Sequence, residues 1–579
     1  MNSFRLEMKV GSLLYLGIFV SALLLRFVNL GAFPLTDEEA LSALVAGQGT
    51  TYETSFSIDT SNAVPQPSYE FLTRIAFQLF GADDFIARII PALAGSLLVL
   101  TPLLARKKIG WVHVVLMGFL LGFLPVFVTT SRTASGVSLT VLGLMSFSMA
   151  IIGLGEDNRR VNEVIAAAGL ALALTSGPYV FTAVLSLGLV LIIWQVLKFP
   201  SLGEIKNNLL TIKNNPRFGW IALAAAVVFA TGLGWSLNGL SIFFNSIAFW
   251  FKSWTLRSPF ASLTIMIIIL TYMPVLTLLG FLGGWSTFRN RDRTGLFAFG
   301  LTIIGLLIIL IHPGRQPHDL LWIAFPLSYV GSAYLASFAH HFSQGRVTAW
   351  VFVMGFSLIL LAVMAYLQIS SIAGQDQIID PLMAWMTPLV FLTIVLVALS
   401  FFGLGWDWAS ARLSLILAAL LLVFLTSIST LWNLNFNSRV LTAKELWRNK
   451  VPSAGQELLV ETLEITSQST TGTRAGLHID ILSDAPYSLI WALRDFQPPE
   501  NFTGRDAEGP PVVLVSKEDN EPVLIADYVG QTIAIGEEWG WRSALPPEFL
   551  RWWIKRQPPR SFDEWLILIR QDIAFFESK

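Results

Sequence analysis

Apolar stretches long enough to cross a lipid bilayer recur throughout the first three quarters of this 579-residue chain. A membrane-spanning helix needs about 20 mainly apolar residues. Thirteen stretches are candidates, and they cover residues 11–30, 86–105, 111–129, 136–154, 162–176, 178–197, 218–235, 261–283, 296–311, 319–339, 347–368, 383–402 and 412–432. The stretch 162–176 is short, and with 178–197 it could instead form one re-entrant element, which would change the count. Only 13% of the residues are charged, whereas soluble domains contain about 25%. The sequence therefore predicts a polytopic α-helical membrane protein and excludes one large soluble enzyme.

Charged residues are unevenly distributed along the chain. Residues 1–440 contain 24 Lys and Arg and 18 Asp and Glu, whereas residues 441–579 contain 14 and 21. The second proportion is ordinary for a soluble domain, so we predict a membrane domain, residues 1–432, followed by a soluble domain, residues 433–579. Their opposite net charges do not indicate nucleic-acid binding. The absence of cysteine excludes disulfides, thiol nucleophiles and thiolate metal sites.

The basic residues between the apolar stretches predict the orientation. One set of alternating connections carries 16 Lys and Arg, and the other set carries 7. Because positive charge marks the cytoplasmic side, we expect a cytoplasmic N-terminus in the plasma (inner) membrane. Thirteen crossings then place the C-terminal domain outside. The first span carries its own orientation signal and precedes many others, so it is interpreted as a retained anchor rather than a cleaved signal peptide.

The first external loop, residues 31–85, contains eight of the 18 acids of the membrane part. Asp37, Glu38 and Glu39 come directly after the first span and open an apolar helical stretch at residues 40–44. Acids are favoured in the first turn of a helix, so helix capping explains their position. Catalytic carboxylates explain it as well, and the sequence leaves both interpretations open. Apolar spacing at residues 68–77 predicts a further amphipathic helix on the membrane surface.

Isolated cations stand at the outer ends of other spans. They are Arg88, Arg132, Arg315 and His318. Each of them could simply extend towards lipid headgroups. Arginine also binds phosphate with a forked set of donors, and a carboxylate can deprotonate an attacking hydroxyl. Acids in one loop facing cations from other loops would suit a phospho-sugar.

These residues resemble those of the GT-C glycosyltransferases that use polyprenyl-phosphate sugars, namely the family 39 protein O-mannosyltransferases, the aminoarabinose transferases and the flippase activity-associated membrane proteins. The matching segments are LTDEEA at residues 35–40, FGADDFIARIIPALAG at 80–95, Ser131-Arg132, SLIWALRDF at 488–496 and RWWIKR at 551–556. The resemblance implies a membrane glycosyltransferase of the cell envelope, for example in protein glycosylation. It would move a hexosyl or pentosyl sugar from a lipid carrier to an extracytoplasmic protein, lipid or glycan with inversion.

The resemblance also implies roles for individual residues. Asp37 would be the general base, and Glu38 would position the acceptor or support Asp37. Donor phosphate would be bound by Arg132 and Arg315, with His318 and Arg88 as further candidates, while Glu39, Gln66 and Tyr69 are candidates for contacts with the acceptor. The chain has Pro-Gln-Pro-Ser at residues 65–68 where many relatives have a His- or Lys-Pro-Pro element. We expect no metal or other cofactor, because arginines can stabilise a monophosphate leaving group.

Alternatives of other classes remain at this point. A transporter or flippase would carry ionisable groups near the bilayer midplane, whereas here they gather at the outer ends of the spans. A non-catalytic envelope scaffold is a third possibility, suggested by Gln66. An oligosaccharyltransferase is disfavoured, because Trp552-Trp553 is followed by Ile554 rather than Asp and the first loop has no Asp-x-Asp.

The C-terminal domain has mixed helical and strand patterns that predict a small α/β fold. Helices are expected at residues 453–467 and 547–555, and strands at 477–482, 511–516, 523–526, 532–535 and 565–569. Seven of the 20 tryptophans lie in this domain. They could form its core and a membrane-facing belt, or they could stack on a sugar.

Overall fold

The computed structural model describes residues 2–155, 159–199, 203–232, 234, 238–343, 349–373, 381–405, 407–437, 445–497, 509–519, 524, 526–540 and 548–573. Up to residue 437, these residues are mainly helical. The α-helices are α1 Asn2–Phe27, α2 Asp37–Gly47, α3 Pro67–Phe80, α4 Asp84–Leu98, α5 Arg106–Ile109, α6 Trp111–Phe123, α7 Pro125–Ser131, α8 Val137–Ile152, α9 Arg159–Thr175, α10 Tyr179–Val196, α11 Glu204–Lys213, α12 Pro216–Thr231, α13 Asn238–Ser253, α14 Ser262–Tyr272, α15 Pro274–Asn290, α16 Arg293–Ile311, α17 Leu321–Ser343, α18 Ala349–Ala373, α19 Pro381–Gly405 and α20 Trp408–Asn435. Short 3-10 helices cover Thr101–Ala105, Gly153–Gly155 and Pro317–Leu320.

Every one of the thirteen predicted apolar stretches falls on a helix or on a pair of successive helices. Within the described ranges, seven helices are long and apolar enough to cross a membrane, and two bent pairs raise the number to nine. The bends, 55° between α6 and α7 and 89° between α14 and α15, occur where Pro125 and Pro274 begin the second helix. Proline interrupts the hydrogen-bond ladder of a helix. The protein is thus a multi-pass membrane protein, and thirteen crossings remain a prediction.

The C-terminal part is built on one five-stranded sheet. Its strands are β1 Lys450–Pro452, β2 Ile479–Ile481, β3 Val512–Ser516, β4 Tyr528–Trp539 and β5 Arg560–Arg570, and its helices are α21 Ala454–Thr471, α22 Tyr487–Ala492 and α23 Glu548–Lys555. The strand order is β1-β4-β5-β3-β2, in which only β2 and β3 run parallel. Leu459 and Leu463 of α21 pack with Ile533, Ile535 and Ile567 of the sheet in a buried core. The predicted α/β character of this domain is confirmed.

The sequence patterns locate most elements of this domain but not their lengths. The predicted strand at residues 532–535 is the middle of the twelve-residue β4, which pairs along its length with β5. β1 and α22 are not predicted by the patterns. The predicted strand at residues 523–526 lies partly outside the described residues. Pro546 and Pro547, which precede α23, lie wholly outside them. The boundary at residue 432 stays a prediction, and α20 continues to Asn435.

The sheet domain packs against the helical part at several places, two of which involve α22 and α23. At the first, Trp491 of α22 donates a hydrogen bond to Asp84 (2.7 Å), while Arg494 donates to the carbonyl of Ala82 (2.9 Å). At the second, Trp552 of α23 is fully buried in the main apolar core of the helical part. These contacts bring the sheet domain over the predicted first external loop, where the candidate site lies.

Candidate active site

A cavity of about 440 Å³ lies where the helical part meets the sheet domain. This volume is within the usual range for a small-molecule site, about 300–1,000 Å³. Lining residues come from the segments 36–42, 62–66, 130–135, 178–182, 249–260, 312–319 and 447–450. All of these segments are external loops, span ends or domain residues that the charge pattern places on one side of the membrane. The acids and cations of separate loops therefore have one common space in which to meet.

Glu39 lines the cavity and forms a buried ion pair with Arg88, which does not line it. The side chains are only 5% and 2% exposed, and the Arg88 Nε lies 2.8 Å from the Glu39 Oε1. The Glu39 carboxylate also accepts hydrogen bonds from the amide of Ala134 and from the amide and hydroxyl of Thr36, the N-cap residue that precedes α2. Burial alone would raise the pKa of Glu39, but Arg88 and these donors outweigh burial and lower the pKa to about 2. Because its carboxylate accepts from the amide of the N-cap residue Thr36, Glu39 caps the start of α2.

Asp37 lines the cavity and also contacts the sheet domain. Its Oδ1 accepts hydrogen bonds from the Ser488 hydroxyl (2.6 Å) and from the Ser488 amide (3.1 Å) at the start of α22. No described residue donates to the other carboxylate oxygen. Two donors on one oxygen fix the orientation of the carboxylate, and Oδ2 is left available to a substrate proton.

The side chain of Glu38 is exposed to the cavity. The surrounding protein withdraws it from bulk water, which raises its pKa, while the nearby His318 partly opposes this effect. His318 lines the same cavity, and its ring packs edge-on against Tyr179 with centroids 5.1 Å apart. A carboxylate with a raised pKa is a better proton acceptor than an ordinary one.

Two of the predicted phosphate-binding arginines do not line the cavity. The guanidinium of Arg132 donates to the carbonyls of Leu25, Arg26, Val28 and Asn29 at the end of the first span. Arg88 is occupied by Glu39 and by the carbonyls of residues 30, 33 and 34. Both guanidinium groups therefore hold backbone around the site, and the structure does not place them where they could contact a phosphate in the cavity.

Arg315 lies at the edge of the cavity, between the lining residues Gly314 and Gln316. One of its terminal nitrogens donates to the Phe260 carbonyl (3.1 Å), and its buried Nε has no hydrogen-bond partner in the described structure. Buried donors without a partner cost free energy. The predicted phosphate contact of Arg315 therefore remains a prediction.

Of the remaining candidates for acceptor contacts, one lines the cavity and the other does not. Gln66 lines the cavity, accepts a hydrogen bond from the Gly136 amide and donates to the Ser42 hydroxyl (3.4 Å). Tyr69 does not line it, since the ring is fully buried and the hydroxyl donates to the carbonyl of Ala87. The predicted amphipathic helix is present as α3, but its inner face, including Tyr69, packs inside the protein.

Sequence reasoning missed the contribution of the segment after the last span. Trp447, Arg448, Asn449 and Lys450 all line the cavity. A sequence signal for this segment does exist. Arg448 and Lys450 lie within three positions of each other, on the side of the membrane where Lys and Arg are predicted to be scarce. Ser253, which was also missed, is joined by a hydrogen bond of 2.9 Å to His312, and both line another wall of the cavity.

An aromatic wall borders the polar part of the cavity. It is formed by Phe249, Trp250, Phe260 and Trp447. Trp250 belongs to α13, whose aromatic residues are mostly at the protein surface or partly buried. The cavity thus combines paired carboxylates, histidines and cations with an apolar side. In the described part of the chain, no three His, Asp or Glu side chains are grouped as a metal site would need, and the expectation of no cofactor stays a prediction.

The fold is similar to that of ArnT from Cupriavidus metallidurans, solved in the apo state and bound to undecaprenyl phosphate. Each comparison has a TM-score of 0.52 and 14% sequence identity, and it covers 87% of this chain and 93% of ArnT. The chain therefore has an ArnT-like fold. The archaeal oligosaccharyltransferase AglB from Archaeoglobus fulgidus is less similar, with a TM-score of 0.46, 12% identity and coverage of 88% of this chain and 70% of that one. No protein-family model and no curated protein matches the sequence. At this identity, the GT-C comparison concerns the fold.

Proposed function

We propose that the protein is a glycosyltransferase that moves a sugar from a polyprenyl-phosphate carrier to an extracytoplasmic acceptor. The observation that carries this proposal is the pair Asp37 and Glu38, which faces one cavity together with His318. The similar fold of ArnT, solved with undecaprenyl phosphate, supports the choice of carrier. The sheet domain would lie outside the plasma (inner) membrane, with the N-terminus in the cytoplasm.

The proposed reaction is a single displacement with inversion at the anomeric carbon. Asp37 removes the proton from the acceptor hydroxyl or amine through the oxygen that Ser488 does not occupy. The acceptor atom forms a bond to the anomeric carbon as the bond between that carbon and the phosphate oxygen breaks. The electron pair leaves with the polyprenyl phosphate. Glu38 holds the acceptor, and His318 and Arg315 stand on the side of the leaving phosphate.

The position of the cavity favours transfer over transport. Its polar lining residues belong to loops, helix ends and the sheet domain, whereas a transporter places its binding site near the bilayer midplane between spans. The aromatic wall of Phe249, Trp250 and Phe260 offers an apolar border along which an isoprenoid chain would enter from the membrane.

The test is the variant Asp37→Asn, purified as the full chain in lipid nanodiscs and assayed with a panel of radiolabelled polyprenyl-phosphate sugars. The matched control is Asp59→Asn, because Asp59 lies in the same loop, is exposed and does not line the cavity. We expect transfer by the wild type and Asp59→Asn, and a loss of at least about a hundredfold in Asp37→Asn, in line with the usual share of general-base catalysis. Wild-type rates in Asp37→Asn would remove Asp37 from the mechanism.

A further inference from the structure

We propose that Arg448, from the segment that joins the last span to the sheet domain, binds the phosphate of the lipid carrier. The inference rests on the proposed function and deepens it by naming the cation that recognises the donor. Arg448 lines the cavity, and it belongs to none of the loops in which the sequence suggested phosphate-binding residues.

The first observation is that Arg448 lacks a partner among the described residues. Its guanidinium makes no hydrogen bond or ion pair with any of them, and the side chain is only partly exposed to solvent. Lys450, the other basic residue in this segment, differs because its Nζ lies 2.7 Å from the Asp563 carboxylate. An unpaired charge in such an environment is costly, and an anionic ligand in the cavity would relieve that cost.

The carboxylate of Glu39 cannot serve as that partner. Glu39 interacts electrostatically with Arg448, but both of its oxygens are already occupied. One accepts from Arg88 and the Ala134 amide, and the other accepts from Arg88 and from both donors of Thr36. The charge of Glu39 is therefore neutralised by Arg88.

Two other arginines add positive potential at Arg448. Arg448 interacts electrostatically with Arg88 and with Arg132, and Glu39 is the carboxylate that interacts with both Arg88 and Arg448. Burial lowers the pKa of Arg448, Glu39 opposes this change and Arg88 adds to it. Arg88 and Arg132 thus contribute to the field, and Arg448 alone of the three presents its side chain to the cavity.

The backbone beside Arg448 is held firmly. The Tyr272 hydroxyl donates to the Glu445 carboxylate (2.6 Å) and accepts from the Leu446 amide (2.8 Å). The Trp447 ring packs edge-on against Tyr272 with centroids 5.7 Å apart. Arg448 therefore enters the cavity from a fixed point, as a preorganised phosphate contact requires.

The test is lipid binding by the full-length protein in detergent, measured by native mass spectrometry. The probes are undecaprenyl phosphate, undecaprenol, which has the same tail without the phosphate, and phosphatidylglycerol, which carries a different phosphate headgroup. The variants are Arg448→Gln and Arg448→Lys, and Arg474→Gln is the matched control because Arg474 is exposed, follows the C-terminal end of α21 and does not line this cavity.

We expect Arg448→Gln to bind undecaprenyl phosphate about ten- to hundredfold more weakly, the range for a lost charged hydrogen bond, with undecaprenol binding unchanged. Arg448→Lys should lose less, since the charge remains but the fork is lost. If the glutamine variant does not fold, the lysine variant still has to show a loss confined to the phosphate-bearing lipid.

Three results would overturn the inference. Undiminished binding of undecaprenyl phosphate by both variants would exclude Arg448 and leave the proposed function intact. Equal, Arg448-dependent binding of phosphatidylglycerol would make this a general headgroup site. If the wild type does not prefer undecaprenyl phosphate over undecaprenol, the carrier assignment of the proposed function fails as well.

Discussion

Three successive acids open α2, and the structure predicts that only the third is required for folding. Glu39→Gln removes the negative charge that neutralises Arg88 while keeping the size of the side chain. Both partners are about 95% or more buried, and Arg88 donates two hydrogen bonds to Glu39. The change therefore leaves a buried arginine without a counter-ion and directs an amide nitrogen towards existing donors.

The expected loss is about 3–5 kcal/mol, the usual cost of removing one partner of a buried ion pair. This is a large part of the roughly 5–15 kcal/mol that stabilises a typical protein. Glu38→Gln, next to it in sequence, should leave stability within about 0.5 kcal/mol, because Glu38 is exposed to the cavity. The double variant Glu39→Gln/Arg88→Met should be more stable than Glu39→Gln alone, since it leaves no unpaired charge.

The assay is thermal unfolding of purified variants in one detergent, followed by size-exclusion of the remaining folded fraction. Equal midpoints for Glu39→Gln and Glu38→Gln, or a double variant less stable than the single one, would refute the assignment. The pH dependence gives a second measurement. Because the pKa of Glu39 falls from 4.5 to about 2, its contribution is complete above about pH 4.5 and is lost as the pH falls towards 2.

The remaining predictions concern the other two acids. The raised pKa of Glu38 should place an acidic limb in the pH profile of transfer above the range of ordinary carboxylates, because activity that needs the carboxylate falls as Glu38 is protonated. The residual activity of Glu38→Gln should lack that limb, and an unchanged limb would assign it to another group. Ser488→Ala should lower kcat about tenfold or more, the value of one hydrogen bond to a charged group, without changing the KM for the lipid donor. Ser488→Thr, which keeps the hydroxyl, should restore most of the rate, and a KM effect of equal size would point to a merely structural role.

The helices were predictable because the physical requirement is simple. A span must be apolar for about 20 residues, and each of the thirteen stretches lies on helices of the structure. The importance of residues 37 and 38 was also predictable, since acids are unusual directly beside a span. Their convergence with His318 needed the fold, because the two segments are separated by some 280 positions in the sequence.

The roles of the arginines were not predictable from the sequence. A lone arginine at the end of a span can face lipid, substrate or backbone, and the same residue type satisfies all three. The guanidinium of Arg132 donates hydrogen bonds to carbonyls at the end of the first span, and Arg88 forms an ion pair with Glu39. The role of Arg448 was not predictable for a related reason. The sequence of residues 445–450 does not indicate that Tyr272 fixes this segment beside the cavity.

The hydrogen bond between Asp37 and Ser488 joins residues 451 positions apart. During synthesis, Asp37 emerges early, whereas Ser488 follows only after the last helix of the membrane part has been made. For most of translation, the Asp37 carboxylate of a nascent chain therefore lacks Ser488, the residue that orients it. Under the proposed topology, the reactive arrangement arises only once the final quarter of the chain has crossed the membrane, so each copy stays inactive until it is correctly inserted.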